Sequence, residues 1–182
     1  DAYVLLAEEE AETPEQACFL YEKGMQAGER TLGEAYFRDN KGKFWGLVET
    51  RGYMRARAGL AECLEYLNRS AESLSHYEAL LKLNPNDNQG IRYTLLALLV
   101  RENMNAEAEK LLERYKEDAS VTWLFTRTLL SFRRQGSSAA SNAALRRALR
   151  TNPYVLPYLS GIKPLPDESP SNEYPEDEIE AI

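Results

Sequence analysis

One histidine, His76, and two cysteines, Cys18 and Cys63, are the whole stock of imidazole and thiol chemistry in this 182-residue chain. His76 stands beside Tyr77 in an amphipathic stretch, with no Ser, Cys or carboxylate cluster in a recognisable nucleophile or ligand arrangement, so it reads as a helix-packing or solvent-facing imidazole. The cysteines lie among apolar neighbours and form no CxxC or other ligand spacing, which predicts buried free thiols and fits a reducing, cytoplasmic setting. Glu8-Glu9-Glu10 are consecutive on one helical turn and do not converge on a point, so they predict a solvated face rather than a metal site. Glycine-rich phosphate loops, HExxH and GxSxG are all missing. The expectation is a chain that is not an enzyme, with no catalytic, metal-binding or cofactor-binding residue.

Composition narrows the class further. Hydrophobic residues make up 43% and charged residues 28%, ordinary for a soluble globular chain. The longest apolar run, Leu95 to Val100, falls far short of the ~20 residues of a membrane span, so no membrane partner is expected. The chain opens on Asp1 rather than Met, the start expected of a processed or partial chain. A formal charge of −7 conceals an uneven distribution: seven acids and no base follow Leu165, and five acids and no base fall in the first twelve residues. The body between them is mildly basic.

Whatever these side chains do, helices must position them. Tyr3, Leu6, Ala7 and Ala11 recur at spacings of three and four, giving a first helical face. Thr13-Pro14-Glu15-Gln16 supplies an N-cap, a proline at the first helical position and a Gln at the third, and Gly28 is a plausible stop. Residues 1–28 are thus expected to form a helical hairpin. Residues 29–53 read as an irregular insert: a short helix over Thr31–Phe37, a loop, then Phe44, Trp45, Leu47 and Val48, which are too apolar to be solvated and should fold back on the hairpins.

The stretch from Met54 to Asp87 is more regular. It gives two amphipathic helices, a turn at Asn68-Arg69-Ser70 and a closing Leu83-Asn84-Pro85, with the small residues Ala61 and Ser73 placed for close helix approach. Thr151-Asn152-Pro153 repeats the close 68 residues later, two periods of 34. Three units follow from this, 54–87, 88–121 and 122–153, the middle one running one residue late and turning near Asn103, the third turning at Gly136. Residues 154–166 carry three further prolines and are expected to be an extended or broken turn that covers the last helix pair; 167–182 is an acidic tail of disordered composition.

These features resemble the tetratricopeptide repeat family, whose period is 34 residues. Leu60, Ala61, Leu64, Ser73, Tyr77, Leu80 and Pro85 stand where the family has its Leu, Gly/Ala, Tyr, Ala, Phe/Tyr, Ala and Pro, and Phe125, Phe132, Ser141, Leu145, Ala148 and Pro153 match similarly. The first hairpin matches loosely, Arg57 replaces the aromatic usual early in the first helix, and 29–53 belongs to no repeat. The resemblance implies an all-α fold, a right-handed superhelical array of antiparallel helix pairs, an α-solenoid.

The resemblance also implies function: a protein-interaction scaffold holding a peptide or partner helix in a concave groove lined by the first helix of each unit. The groove residues so implied are Arg55 from one unit, then Arg92 and Tyr93 with Leu96, then Trp123, Arg127, Leu130 and Arg133. Arginine beside aromatics favours an acidic peptide partner, since guanidinium forks onto carboxylates and stacks on rings. Equally open is that Tyr93 and Trp123 belong partly to the core and the arginines are only solvated. The Lys/Asn carboxylate clamp of chaperone-binding members is missing, its places being held by Ala58, Glu62, Arg92 and Leu96. Two alternatives remain beside the scaffold: nucleic-acid binding through Arg127, Arg133, Arg134, Arg146, Arg147 and Arg150, disfavoured by the acidic ends, and a recruiting module of a larger enzyme or complex. The tail around Tyr174 offers a further expectation, self-association by filling a basic groove of the same or a neighbouring molecule.

Overall fold

A computed structural model describes residues 1–166, 176–179 and 181, all of them in helices, turns and connecting loops. The helices run in order: α1 (Ala2–Glu9), α2 (Pro14–Asp39), α3 (Arg51–Tyr66), α4 (Ser70–Leu83), α5 (Ile91–Arg101), α6 (Asn105–Arg114), α7 (Val121–Gln135), α8 (Ala139–Thr151), α9 (Val155–Leu159) and α10 (Glu176–Ile179). Among the described residues there is no strand. The chain divides into two units, Asp1–Met104 and Asn105–Ile182.

In the first unit, α2 begins as its cap predicts: Gln16 N–H donates to Thr13 Oγ1 at 3.2 Å, and Glu12 N–H to Gln16 Oε1 at 2.9 Å. It does not stop at Gly28. The helical path breaks instead at Gly33, with φ 75° and ψ 158°, a conformation that favours glycine. Gly28 has a packing role, since a Cβ there would lie 2.8 Å from Tyr53 Cβ; Gly59 on α3 likewise admits the Tyr21 ring. These small surfaces let α2 and α3 run close together, with Cys18, Leu60 and Leu64 buried among Tyr21, Met25, Cys63 and Leu67. On α1 the buried face is Val4 and Ala7; Tyr3 and Leu6, expected to be inside, are exposed.

The insert folds back on this framework. Phe44 is fully buried in an aromatic group with Phe37 (centroids 4.9 Å apart) and Tyr53 (6.2 Å). Thr50, also buried, donates to the carbonyls of Leu47 (2.7 Å) and Phe44, closing two successive 3-10 turns, Phe44–Gly46 and Val48–Thr50. Val48 departs from expectation: it points outward, 73% exposed.

The pair α3/α4 follows its sequence pattern closely. Ala61, Leu64, Ser73, Tyr77 and Leu80 are all buried, and full burial of each large side chain stabilises by about 1.5–3 kcal/mol. Asn68 closes the turn in the left-handed region at φ 58°. Asp87, itself left-handed, accepts from Ile91 N–H (2.8 Å) and Arg92 N–H (2.9 Å) and so caps α5.

In the second unit, Ala108 is fully buried on α6 while Glu107 is only half-buried, so the one-residue lag read from the sequence is visible in side-chain orientation. Ser120 caps α7 and Gly136, at φ 63°, ends it; Ser138 and Ser141 form a capping box at α8. Asn152 is fully buried and its Oδ1 accepts from Tyr154 N–H at 3.0 Å. The segment expected to be extended or a broken turn forms the five-residue helix α9, little more than one turn, with Pro157 in that turn, where a missing N–H costs nothing, and with Val155 and Tyr158 buried.

Of the acidic tail, 167–175, 180 and 182 lie outside the described residues, Tyr174 among them. Residues 176–179 are helical rather than disordered, because Glu178 is buried and accepts from Tyr158 Oη (2.8 Å) and Lys163 Nζ.

Candidate functional site: arginines, aromatics and two cavities

The structure sorts the eight expected groove residues into two kinds. Trp123 is fully buried, edge-on to Tyr115 at 6.3 Å, and Leu130 is 2% exposed. Both belong to the core of the second unit. The reason is periodicity: on α7, Val121, Trp123, Leu124 and Leu130 are the residues that point inward, while Leu129 and Phe132 are exposed. Leu96 is likewise fully buried on α5.

The remaining five keep polar roles. Arg55, half-buried on α3, pairs with Glu8 at 3.4 Å and Asp1 at 3.6 Å. Arg92 donates to the buried Asp87 carboxylate at 3.2 Å and to Tyr93 Oη at 2.8 Å, its guanidinium lying 4.5 Å from the Tyr93 ring centre. Desolvation pushes the Asp87 carboxyl up, and the bonds from Arg92 and Ile91 oppose that rise. Arg92 and Tyr93 are therefore brought together as one stacked pair. Arg127 donates to the Leu112 carbonyl at 2.9 Å, and Arg133, exposed, donates to Asn105 Oδ1 at 2.9 Å. Of the arginines weighed for nucleic acid, Arg134 pairs with Glu109 at 3.0 Å, which lowers the net charge it presents.

Each unit has a cavity beside such residues. In the second unit a cavity of about 350 Å³ is lined by Arg127, Leu130 and Ser131 from α7 and by Glu109, Leu112 and Glu113 from α6, with Arg134 at its edge. In the first unit a cavity of about 550 Å³ is lined by Glu29, Arg30, Glu34 and Phe37 of α2 and Tyr53 and Arg57 of α3. Arg57 donates to Tyr53 Oη and lies 5.8 Å over its ring. Sequence reasoning passed over Arg57 as a site residue. The signal was present in its departure from the repeat pattern, a cation where an aromatic is usual.

The thiol and imidazole groups are quiet. Burial pushes the Cys18 thiol up, and burial, reinforced by Cys18 and Glu62, pushes Cys63 up to about 11. Both are free thiols. Burial and the Arg57 charge hold His76 below its ordinary value, so it is neutral at pH 7. Among the described residues no three His, Cys, Asp or Glu groups are placed to hold a metal ion. Among them, too, no helix is long and apolar enough to cross a membrane.

No family model matches the chain, and no solved structure matches it. Curated relatives do. The chain is 30% identical over 188 aligned positions to the Suppressor of tumorigenicity 7 protein of Macaca fascicularis, the alignment covering 90% of this chain and 35% of the relative. The proteins of the same name from Rattus norvegicus and Mus musculus are 30% identical, with 32% of each covered. The chain thus spans about a third of the length of the curated relatives it matches, and similarity to those proteins named as suppressors of tumorigenicity is what the comparisons establish.

Proposed function

We propose that this chain is a noncatalytic interaction module, a tetratricopeptide-type α-solenoid that holds a peptide or partner helix, within a longer protein of the kind its relatives represent. One observation carries the reading: residues 68 positions apart play the same part in helix pairs α3/α4 and α7/α8. Ser73 and Ser141 are both buried, as are Leu80 with Ala148 and Asn84 with Asn152. The turn residues Asn68 and Gly136 both adopt positive φ, and Asn103 does so between them. In repeat arrays built of such pairs, stacking buries one face and leaves the other for partners. The exposed Arg133 and the half-buried Arg55, for which a partner would compete with Glu8 and Asp1, suit an acidic partner segment. The name of the relatives concerns suppression of tumorigenicity, and an interaction module is a part such a protein can use without any catalytic group.

The experiment is affinity capture with the 182-residue chain, read by mass spectrometry, against an Arg55→Glu/Arg133→Glu variant whose far-UV circular dichroism is unchanged. Partners lost from the variant bear the reading out; an identical set recovered by both removes these two arginines from it.

A further inference from the structure

The first unit's arginines are mostly matched to acids. Arg38 pairs with Asp39, Arg55 with Glu8, Arg69 with Glu72, Arg92 with Asp87 and Arg101 with Glu65. Arg57 differs: it is half-buried, its guanidinium reaches Tyr53 Oη, and no carboxylate among the described residues lies within ion-pairing distance. Its Nε is buried with no hydrogen-bond partner among them. A half-buried guanidinium with one buried N–H left without a partner and no counter-ion is costly to keep, and the favourable completion is an anion. Arg57 and, on the exposed side, Arg30 supply the positive charge of the cavity lining.

The rest of the cavity limits what anion fits. Phe37 and Tyr53, 4.9 Å apart with their rings nearly perpendicular, give it an aromatic wall. Its rim is exposed and bears Glu29, Arg30 and Glu34 in succession along α2. Two rim carboxylates repel a polyanion or a doubly charged phosphate and tolerate a single charge. At about 550 Å³ the space holds one or two side chains.

We propose that this cavity is a receptor for one carboxylate side chain, Glu or Asp, carried next to an apolar or aromatic residue of a partner polypeptide. Arg57 takes the carboxylate, and Phe37 and Tyr53 take the apolar neighbour. The polypeptide source rests on the interaction-module reading; the carboxylate chemistry does not. The site is separate from Arg55, because Arg55 and Arg57 are two residues apart on α3 and so point to different sides of the helix.

The test uses the full 182-residue chain, isotopically labelled, and follows the Arg57 Nε–H and Tyr53 ring signals by NMR. The probes are three capped dipeptides: N-acetyl-Phe-Glu-amide, its Gln counterpart and its phosphoserine counterpart. The Glu dipeptide is expected to shift both signals saturably, binding about tenfold or more tightly than the Gln dipeptide, with the phosphoserine dipeptide weaker than Glu. Arg57→Met should lose the Glu preference. The variant Glu29→Gln/Glu34→Gln, altered only on exposed rim side chains, should bind the Glu dipeptide severalfold more tightly. Equal binding of the Glu and Gln dipeptides, tightest binding of the phosphoserine one, or a rim variant with unchanged affinity overturns the proposal. None of these outcomes bears on affinity capture through Arg55 and Arg133, so the two readings fail separately.

Discussion

Tyr53 lies directly over Gly28: a methyl group on Gly28 would meet Tyr53 Cβ at 2.8 Å and its Cα at 3.4 Å. The atoms in the way belong to the base of the side chain and the backbone, so rotating the ring cannot make room. Gly28→Ala is therefore expected to destabilise the first unit by about 1–3 kcal/mol of overpacking, offset in part by the better helix propensity of alanine, worth about 1 kcal/mol. Gly46→Ala, where a Cβ meets nothing within 4 Å, is the matched control. Urea denaturation of the two variants measures the difference; equal midpoints would mean that α2 and α3 do not hold this close approach in solution.

Trp123 fills the core of the second unit, so Trp123→Ala should cost about 3–5 kcal/mol and unfold or loosen that unit. Any binding lost with it reports structure rather than contact. Near-UV circular dichroism and denaturant titration check this, and a Trp123→Ala protein of wild-type stability would return Trp123 to the surface.

The Glu178 contact with Lys163 and Tyr158 depends on pH. Hydrogen bonds from Lys163 and then Tyr158 hold the Glu178 carboxyl below its ordinary range, while the same contact, Glu178 first, raises Lys163. A carboxylate with a lowered folded value contributes stability that is complete above its ordinary value and is lost as pH falls through the folded one. Lysine with a raised value contributes below its ordinary value and loses that contribution as pH rises through the folded one. The α10 contact is thus expected to persist across neutral pH, to release in acid below the ordinary carboxylate range, and to release again in strong base. Glu178→Gln should abolish the acid transition, followed through Tyr158 ring signals by NMR.

Cys63 should be a slow nucleophile. With its thiol pushed up to about 11, roughly a hundredfold less thiolate is present near pH 8 than for an ordinary cysteine, partly offset by higher intrinsic nucleophilicity. Labelling of the native chain by an aromatic disulfide reagent is expected to be at least about tenfold slower than after unfolding, and to accelerate with pH well above 9. Native labelling at the unfolded rate would place Cys63 in water.

The local signals were legible in the residues. Thr13-Pro14-x-Gln16 capped a helix, Asn68, Asn103 and Gly136 closed turns because they tolerate left-handed backbone, and the 68-residue recurrence of buried Ser73 and Ser141 follows from a repeated requirement for small residues where helices meet. These are short-range effects, written within a few residues of where they act. Which face of a helix meets which neighbour is not written there. Gly28 reads as a stop and is a contact, since only the approach of Tyr53 from α3 distinguishes the two. Trp123 and Leu130 carry side chains suited to binding, yet the packing of the second unit turns them inward, while Phe132 on the same helix is left exposed. Arg57 shows the converse: the sequence marks it as an oddity, and its half-burial without a carboxylate partner emerges only when α2 brings Phe37, Glu29 and Glu34 around it. Helix formation is decided by the chain's own neighbours, whereas burial and ion pairing depend on residues far away in sequence, and those the tertiary structure alone brings together.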